Sequence, residues 1–293
     1  MKKILLAYNP VSGHAAFKRR LDWIIKEFQK RDCIIIPYRT LRHNHHFAEF
    51  VHAVEPTGII AAGGDGTVHE IVNLVVKNEL HLPVGIIGSG TSNDFATYLH
   101  INDDYDAYFD AIAAGSTRPV DLGKVGDTYF INVASAGVMT GIAHEVPPRL
   151  KNALGKFAYY LRGIGEIPKM RAAHFTVEAD GTPYTFDAFL FLVVNSATVA
   201  SFKDVLPCAA IDDGKLDFLA VKKANVAQVM RLSTDLFAGR PVIDLPSIFH
   251  VQAKHFKIMA DIELSGDLDG EVGPMLPMEI TTVPKAVEIY CFT

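Results

Sequence analysis

Residues 61 to 70 read Ala-Ala-Gly-Gly-Asp-Gly-Thr-Val-His-Glu, placing three glycines and a carboxylate where a buried run meets a helical pattern. The run before them, Gly58-Ile59-Ile60-Ala61-Ala62, has the texture of a buried strand. After them, Val68, Ile71, Val72, Leu74, Val75 and Val76 recur as on a helix packed against a core. Glycines at such a junction let backbone N–H groups approach an anion, and the helix start adds a partial positive charge. Asp65 would repel a phosphate in that cradle unless a divalent cation lay between them. The chemistry is that of a site for Mg²⁺ and a nucleoside triphosphate. The alternative is a tight structural turn, for which glycine and aspartate are ordinary residues. Neither a Gly-x-x-x-x-Gly-Lys-Ser/Thr loop nor a dinucleotide fingerprint is present.

Four further constellations carry candidate chemistry. Gly88-Ser89-Gly90-Thr91-Ser92-Asn93-Asp94 follows the run Val84–Ile87 and repeats the design, so that Asp94 could join Asp65 around one metal; a helix capped by Ser92 or Asn93 is the alternative. Asn9-Pro10-Val11-Ser12-Gly13 closes a first strand, and Lys18-Arg19-Arg20 follows, either as a solvated helix face or as cations near phosphates. Asp269-Gly270-Glu271 reads first as a hairpin turn, with a carboxylate just beyond it that could act as a general base. Cys208 to Asp217 contains the acidic turn Asp212-Asp213-Gly214, a hairpin or a cation site of carboxylate and carbonyls. His43, His45 and His46 read as a solvated loop rather than a metal site.

These residues need a scaffold. Strand-like segments Lys3–Tyr8, Cys33–Tyr38, Gly58–Ala62 and Val84–Ile87 alternate with helix-like Phe17–Gln29, Phe47–Val54 and Val68–Lys77, and Asp103–Ala114 follows. Such alternation predicts a parallel sheet with helices on both faces, whose strand ends collect the turns above. From about Thr128 the texture becomes β-rich: Tyr129–Val133, Phe175–Ala179, Tyr184–Val194, Leu216–Val221, Phe256–Met259, Asp261–Leu264 and Met278–Thr282, interrupted by helical Leu150–Ile167 and Val226–Phe237. This pattern predicts a β-sandwich-like second domain, with the boundary near Gly123–Asp127, giving domains of 1–125 and 126–285. At 293 residues and 49% hydrophobic the chain can bury two cores, and a net charge of −5 argues against a nucleic-acid partner. Cys33, Cys208 and Cys291 are too few and too scattered for a disulfide framework and fit a reducing cytoplasm. The apolar start Ile4–Ala7 is too short for a secretory core and reads as a strand, and the longest apolar run, Ala188–Val194, is far too short to span a bilayer.

Taken in order, Asn9-Pro10-x-Ser12-Gly13, Gly63-Gly64-Asp65-Gly66-Thr67-x-x-Glu70, Gly90-Thr91-x-Asn93-Asp94-Phe95-Ala96, Asp213-Gly214-x-Leu216 and Asp269-Gly270-Glu271 resemble the catalytic-domain family of diacylglycerol kinases, specifically the soluble bacterial lipid kinases. The glycine-rich turn alone is shared with NAD kinases and, loosely, with phosphofructokinases. The resemblance implies a three-layer nucleotide-binding α/β domain, a C-terminal β-sandwich, an active site between them, and a last strand near 286–292 that returns to the first domain. It implies that Asn9, Ser12, Gly13, Thr40, Gly63, Gly64, Asp65, Gly66, Thr67, Val68, His69, Glu70, Gly90, Thr91 and Asn93 hold ATP. Asp65 and Asp94 match the catalytic Mg²⁺ aspartates and Glu271 the general base. Asp213, with carbonyls of Ala210 and Lys215, matches a structural Mg²⁺ site. Three positions depart from the family pattern: Gly88 stands ahead of Gly90 where proline is common, Thr97 replaces an arginine, and His69 replaces an asparagine.

The expected reaction is therefore transfer of the γ-phosphate of ATP to the hydroxyl of a lipid alcohol, first of all diacylglycerol, at a membrane surface. An NAD kinase, or a catalytically silent protein that binds nucleotide or lipid, is the alternative, and a homodimer is left open. The stretch Arg149 to Arg171 mixes Arg149, Lys151, Lys156, Arg162, Lys169 and Arg171 with apolar and aromatic residues and is expected either to dock on anionic lipid or to pack on the sandwich.

Overall fold

A computed structural model describes residues 1–10, 17–41, 44–90, 92–137 and 172–292. Ser12, Gly13, Thr91 and the stretch from Arg149 to Arg171 lie outside the described residues, as do the side chains of Lys18 and Arg19.

The first half builds a parallel sheet. β1 (Lys2–Tyr8) lies between β2 (Cys33–Arg39) and β3 (Gly58–Gly63), and β3 pairs with β4 (Val84–Gly88), every pairing parallel. Every residue of β3 and β4 is buried, the pattern of strands covered on both faces. The covering helices are α1 (Phe17–Gln29), α2 (Phe47–Val54), α3 (Asp65–Lys77), α4 (Asp94–Tyr98) and α5 (Tyr105–Ala114). Their apolar faces meet the sheet through Ile24, Phe28, Val51, Ile71, Val75 and Phe109, all in one core cluster with Leu5, Ile60 and Ile86. Helix α3 starts at Asp65, not Val68 as the apolar spacing suggests, because Gly64 is its extended N-cap and Asp65-Gly66-Thr67 form the first turn.

The second half is β-rich: β5 (Thr117–Val125), β6 (Thr128–Phe130), β7 (Val133–Gly137), β8 (Ala173–Ala179), β9 (Thr182–Val194), β10 (Leu216–Lys222), β11 (Ile248–Ala253), β12 (His255–Ala260), β13 (Ser265–Leu268), β14 (Glu271–Met275) and β15 (Met278–Tyr290), with α6 (Val226–Phe237) between β10 and β11. Phe130, Phe175, Phe191, Phe218 and Phe256 fill its sandwich-like core. The segment expected as one strand over Tyr129–Val133 is two, broken at Ile131–Asn132, where the backbone N–H groups turn to a side chain described below. Asp261–Leu264 is a bend ahead of β13 rather than a strand.

β15 joins the halves. Its first residues pair with β12, it runs antiparallel to β5 from Thr281 to Tyr290, and Ile289 lies parallel beside Val84 of β4. Pro284 lacks an amide hydrogen and Lys285 is left-handed, so the strand bulges between Val283 and Val287 without ending. The Lys285 N–H leaves the ladder and donates to Asp121 Oδ1 at 2.7 Å.

Candidate active site

Two glycine-rich turns stand side by side at the carboxyl ends of β3 and β4. Gly63 and Gly88 are register partners, and the Ser89 N–H donates to the Gly63 carbonyl at 2.8 Å. A Cβ on Gly90 would run into the Cα of Gly64, so the turns approach to a distance that only glycine permits. Asn93, at φ 49°, closes the second turn by accepting from the Gly90 N–H at 2.9 Å and donating to the Gly90 carbonyl at 3.0 Å.

Asp65 reaches across to that second turn. Its two oxygens accept the Asn93 and Asp94 N–H groups, each at 2.9 Å. Burial pushes its carboxyl above the ordinary range, the two N–H groups pull it back, and the negative charge of Asp269 pushes it up again. Asp94, 7% exposed, accepts the Ser201 N–H at 2.9 Å, so this carboxylate ties the α/β half to a loop of the β-rich half. The structure thus brings Asp65 and Asp94 together, with the side chain of one holding the main chain of the other.

A third turn completes the site from the other half. Leu268 pairs with Glu271, and Asp269 and Gly270 between them sit at φ 53° and 91°, the two left-handed residues of a tight hairpin. The Asp269 side chain is buried. It accepts the Ile131 and Asn132 N–H groups at 2.9 Å and the Val133 N–H at 3.0 Å, and it pairs with His69 Nδ1 at 2.9 Å. Asp269 therefore accounts for the break between β6 and β7 and links α3 to the hairpin. Glu271, one residue past the turn, is exposed. A Cβ on Gly66 would collide with Glu271 Oε1, so this glycine lets the carboxylate lie against the first turn of α3.

Glu271 stands where two clefts meet. One, of about 790 Å³, is lined by Asn9, Thr40, Gly66, His69, Glu70 and Asn73, with Arg39 and Lys77 as cations. The other, of about 740 Å³, is lined by Val125, Leu268, Val272, Pro274, Pro277 and Met278 together with Lys124, Asp127, Glu279 and Thr281. His69, Thr128 and Glu271 belong to both. Thr40 is held by its N–H and hydroxyl on the Tyr8 carbonyl at 2.9 and 3.3 Å, and Glu70 by Asn44 Nδ2. Burial pushes the Glu70 carboxyl up, the Asn44 bond lowers it, and the charge of Glu271 raises it again. Thr67 packs its side chain beneath Gly63, and Val68 faces the apolar core, so Val68 offers the site only its main chain. Arg20 reaches the Gly88 carbonyl at 3.5 Å while its guanidinium lies over Tyr105 at 5.2 Å.

Asp213 lies apart from these turns. Its oxygens accept from the Lys215 N–H at 2.9 Å and Gln252 Nε2 at 3.0 Å, and the neighbouring Gly214 N–H donates to Asp121 Oδ2 at 2.6 Å. Ala210 and Lys215 flank the same turn. His46 pairs with Glu49 at 2.9 Å on the surface. Sequence reasoning missed Asp121, fully buried and bonded to both Gly214 and Lys285; a lone acid inside the run Val120-Asp121-Leu122 was its signal. It also missed Asn44 and the second carboxylate role of Asp269, which no local spacing displays.

Residues 3–125 match the family profile described as Diacylglycerol kinase catalytic domain, and residues 132–291 match the YegS C-terminal NAD kinase beta sandwich-like domain. The chain is 34% identical to the diacylglycerol kinase of Bacillus subtilis (strain 168), covering 99% of this chain and 96% of that one. It is also 34% identical to the diacylglycerol kinase of Staphylococcus haemolyticus (strain JCSC1435), covering 97% and 86%. The crystal structure of a diacylglycerol kinase from Bacillus anthracis str. Sterne superposes with a TM-score of 0.77 at 26% identity, covering 99% of this chain and 97% of that one.

Proposed function

We infer that this chain, which belongs to the diacylglycerol kinase family, is an ATP-dependent lipid kinase that converts diacylglycerol to phosphatidic acid. The observation that carries the reading is the place of Glu271. Its exposed carboxylate sits at the junction of a cleft beside Gly66 that carries Arg39 and Lys77 and a second cleft walled by Val272, Pro274 and Met278 together with Lys124 and Glu279. The first cleft suits ATP, with Asn9, Thr40, His69 and Glu70 along it, Arg39 and Lys77 as cations, and the N-terminus of α3 turned to the phosphates. The second suits the glycerol end of a lipid. Glu271 takes the proton of the acceptor hydroxyl; that oxygen forms the new bond to the γ-phosphorus as the bond to ADP breaks.

Mg²⁺ fits the acid set. Asp65 is half-buried and near the negative charge of Asp269, both of which raise its carboxyl, so a cation beside it would favour the charged form. Both its oxygens already accept N–H groups, which favours contact through water, with Asp94 beside it. When bound, the ion offsets charge on the phosphoryl oxygens. Asp213 with the Ala210 and Lys215 carbonyls is the second, structural Mg²⁺ position. Gly63, Gly64, Gly90 and Asn93 form the phosphate cradle, Arg20 supplies a cation near its rim, and the family motifs assign Ser12, Gly13 and Thr91, which lie outside the described residues, to the same nucleotide. A nucleotide domain, 1–125, and a lipid domain, 126–285, with the end of β15 returned to the first, are supported by two main cores, the first of which also takes Ile131 and Ile211 and the second Val125.

The enzyme works at the bilayer surface. Among the described residues no helix is long and apolar enough to cross a membrane. Val272 and Met275 stand exposed on β14, beside Glu271, and present an apolar edge next to the acceptor cleft. Labelled ATP offered together with diacylglycerol in mixed vesicles and with NAD tests the function. Label in phosphatidic acid is the expected result. Label in NADP would make the chain an NAD kinase, and label in neither would make it catalytically silent.

A further inference from the structure

The face of β10 turned away from the sandwich core is apolar but for one residue. Leu216, Phe218 and Ala220 point into the core, whereas Leu219 joins a separate cluster with Val205, Leu206 and Ala209. By strand alternation Asp217 shares the face of Leu219, and it is only 2% exposed. A carboxylate buried there is costly unless a cation or strong donor meets it. His250, the register partner of Leu219 on β11, places Nε2 at 2.7 Å from Asp217 Oδ1. Cys208, in the loop ahead of β10, is the third member. Its sulfur, a carboxylate oxygen of Asp217 and a ring nitrogen of His250 all lie within 4.8 Å of one another.

We propose that Cys208, Asp217 and His250 bind a divalent cation of the zinc class. Sulfur, imidazole and carboxylate together are the donors such an ion selects, whereas Mg²⁺ and Ca²⁺ take oxygen alone. Zinc at its usual bond lengths holds its donors roughly 3.3–3.8 Å apart. The three donors reach that spacing if the Asp217–His250 pair opens by under about 1 Å and the thiolate closes in. Cys208 is exposed, so a water completes a tetrahedron from the solvent side. Gln252 donates to Asp213 Oδ2 at 3.0 Å and leans on Asp217 Oδ2 at 3.5 Å, fixing the outer oxygen while the inner one faces the ion. Three segments meet there, and the ion pins the Cys208 loop to β10 and β11. This site is distinct in chemistry from the all-oxygen set around Asp213, and it holds whether or not the chain is a lipid kinase.

Titration of the metal-free full-length chain with Co²⁺ tests it. With excess Mg²⁺ present to hold the all-oxygen positions, a single equivalent should bind with a thiolate-to-cobalt charge-transfer band and tetrahedral visible bands, and Zn²⁺ should abolish both. Cys208→Ser, a change at an exposed position, should remove the charge-transfer band. His250→Gln should weaken binding by at least the roughly 10–100-fold that losing a residue which merely orients a ligand costs. No charge-transfer band in the parent chain, a band that survives Cys208→Ser (which would assign it to Cys33 or Cys291), or unchanged affinity in His250→Gln would each overturn the assignment.

Discussion

The strand-to-helix turn at Gly63–Asp65 and the hairpin at Asp269–Glu271 use the same residue types to opposite ends. In the first, glycines bring backbones together, and the acid that follows them is half-buried and spends both oxygens on the N–H groups of Asn93 and Asp94. In the second, the acid inside the turn does the bracing: Asp269 holds three N–H groups of residues 131–133 and meets His69 of α3. Only the next residue, Glu271, stays exposed at the meeting of the two clefts. Buried and half-buried carboxylates in this site join elements and concentrate negative charge for a cation. The exposed one is free to take a proton. A sequence motif of glycine and acid does not by itself say which role an acid has; burial and the count of N–H partners do.

Asp269→Ala should have the largest effect on folding. It strands three N–H groups and places alanine at a left-handed φ of 53°, so a loss of about 3 kcal/mol or more is expected in chemical denaturation. Glu271→Ala, two residues away, should stay within about 0.5 kcal/mol of the parent. Equal losses in the two variants would erase the distinction between brace and base.

Gly66→Ala probes the contact between the two turns. The new methyl meets Glu271 Oε1 and must push the carboxylate aside. Turnover should fall by about 10²-fold, because a displaced reacting group forfeits its alignment, while the melting temperature changes little. Full activity would mean that Glu271 does not work from the position it holds against α3.

The fold was legible to different depths in the two halves. Continuous apolar runs with helical spacing between them mark β1 to β4 and α1 to α3; β3 and β4 are covered on both faces and must be apolar throughout, whereas the edge strand β2 is only partly covered. In the β-rich half, α6 and β9 stand out by the same logic. The break between β6 and β7 does not, since its cause is a carboxylate more than a hundred residues downstream. β15 reads as two segments because Pro284-Lys285 resembles a stop, and only pairing with β5 on both sides of the bulge makes it one strand. In the site, spacing located the three turns and their acids. It could not tell that Asp65 binds main chain, that Asp269 is buried, or that Asn44 and Asp121 take part, because those partners are brought together only by tertiary contacts.

A smaller effect separates Asp65 from Glu271 by pH. Burial raises the Asp65 carboxyl above its ordinary value of 3.8, so the folded chain holds a proton that the unfolded chain releases. Its contribution to stability therefore falls as pH rises from 3.8 through the raised native value. Asp65→Asn removes that titration, at a cost of about 1–2 kcal/mol for the N–H group left without an acceptor. Denaturation in metal-free buffer across mildly acid pH should show a slope for the parent that is shallower, or of opposite sign, in the variant. Identical slopes would mean that the surroundings of Asp65 do not raise its carboxyl.

The central claim is that Glu271 takes the proton of the lipid hydroxyl. Glu271→Gln keeps the shape of the side chain and removes its basicity. Single-turnover transfer from ATP to diacylglycerol, measured beside nucleotide affinity, is the most direct test. The account predicts a fall in the transfer rate of about 10²-fold or more with nucleotide affinity within a few-fold of the parent. Near-normal transfer by the variant would contradict it.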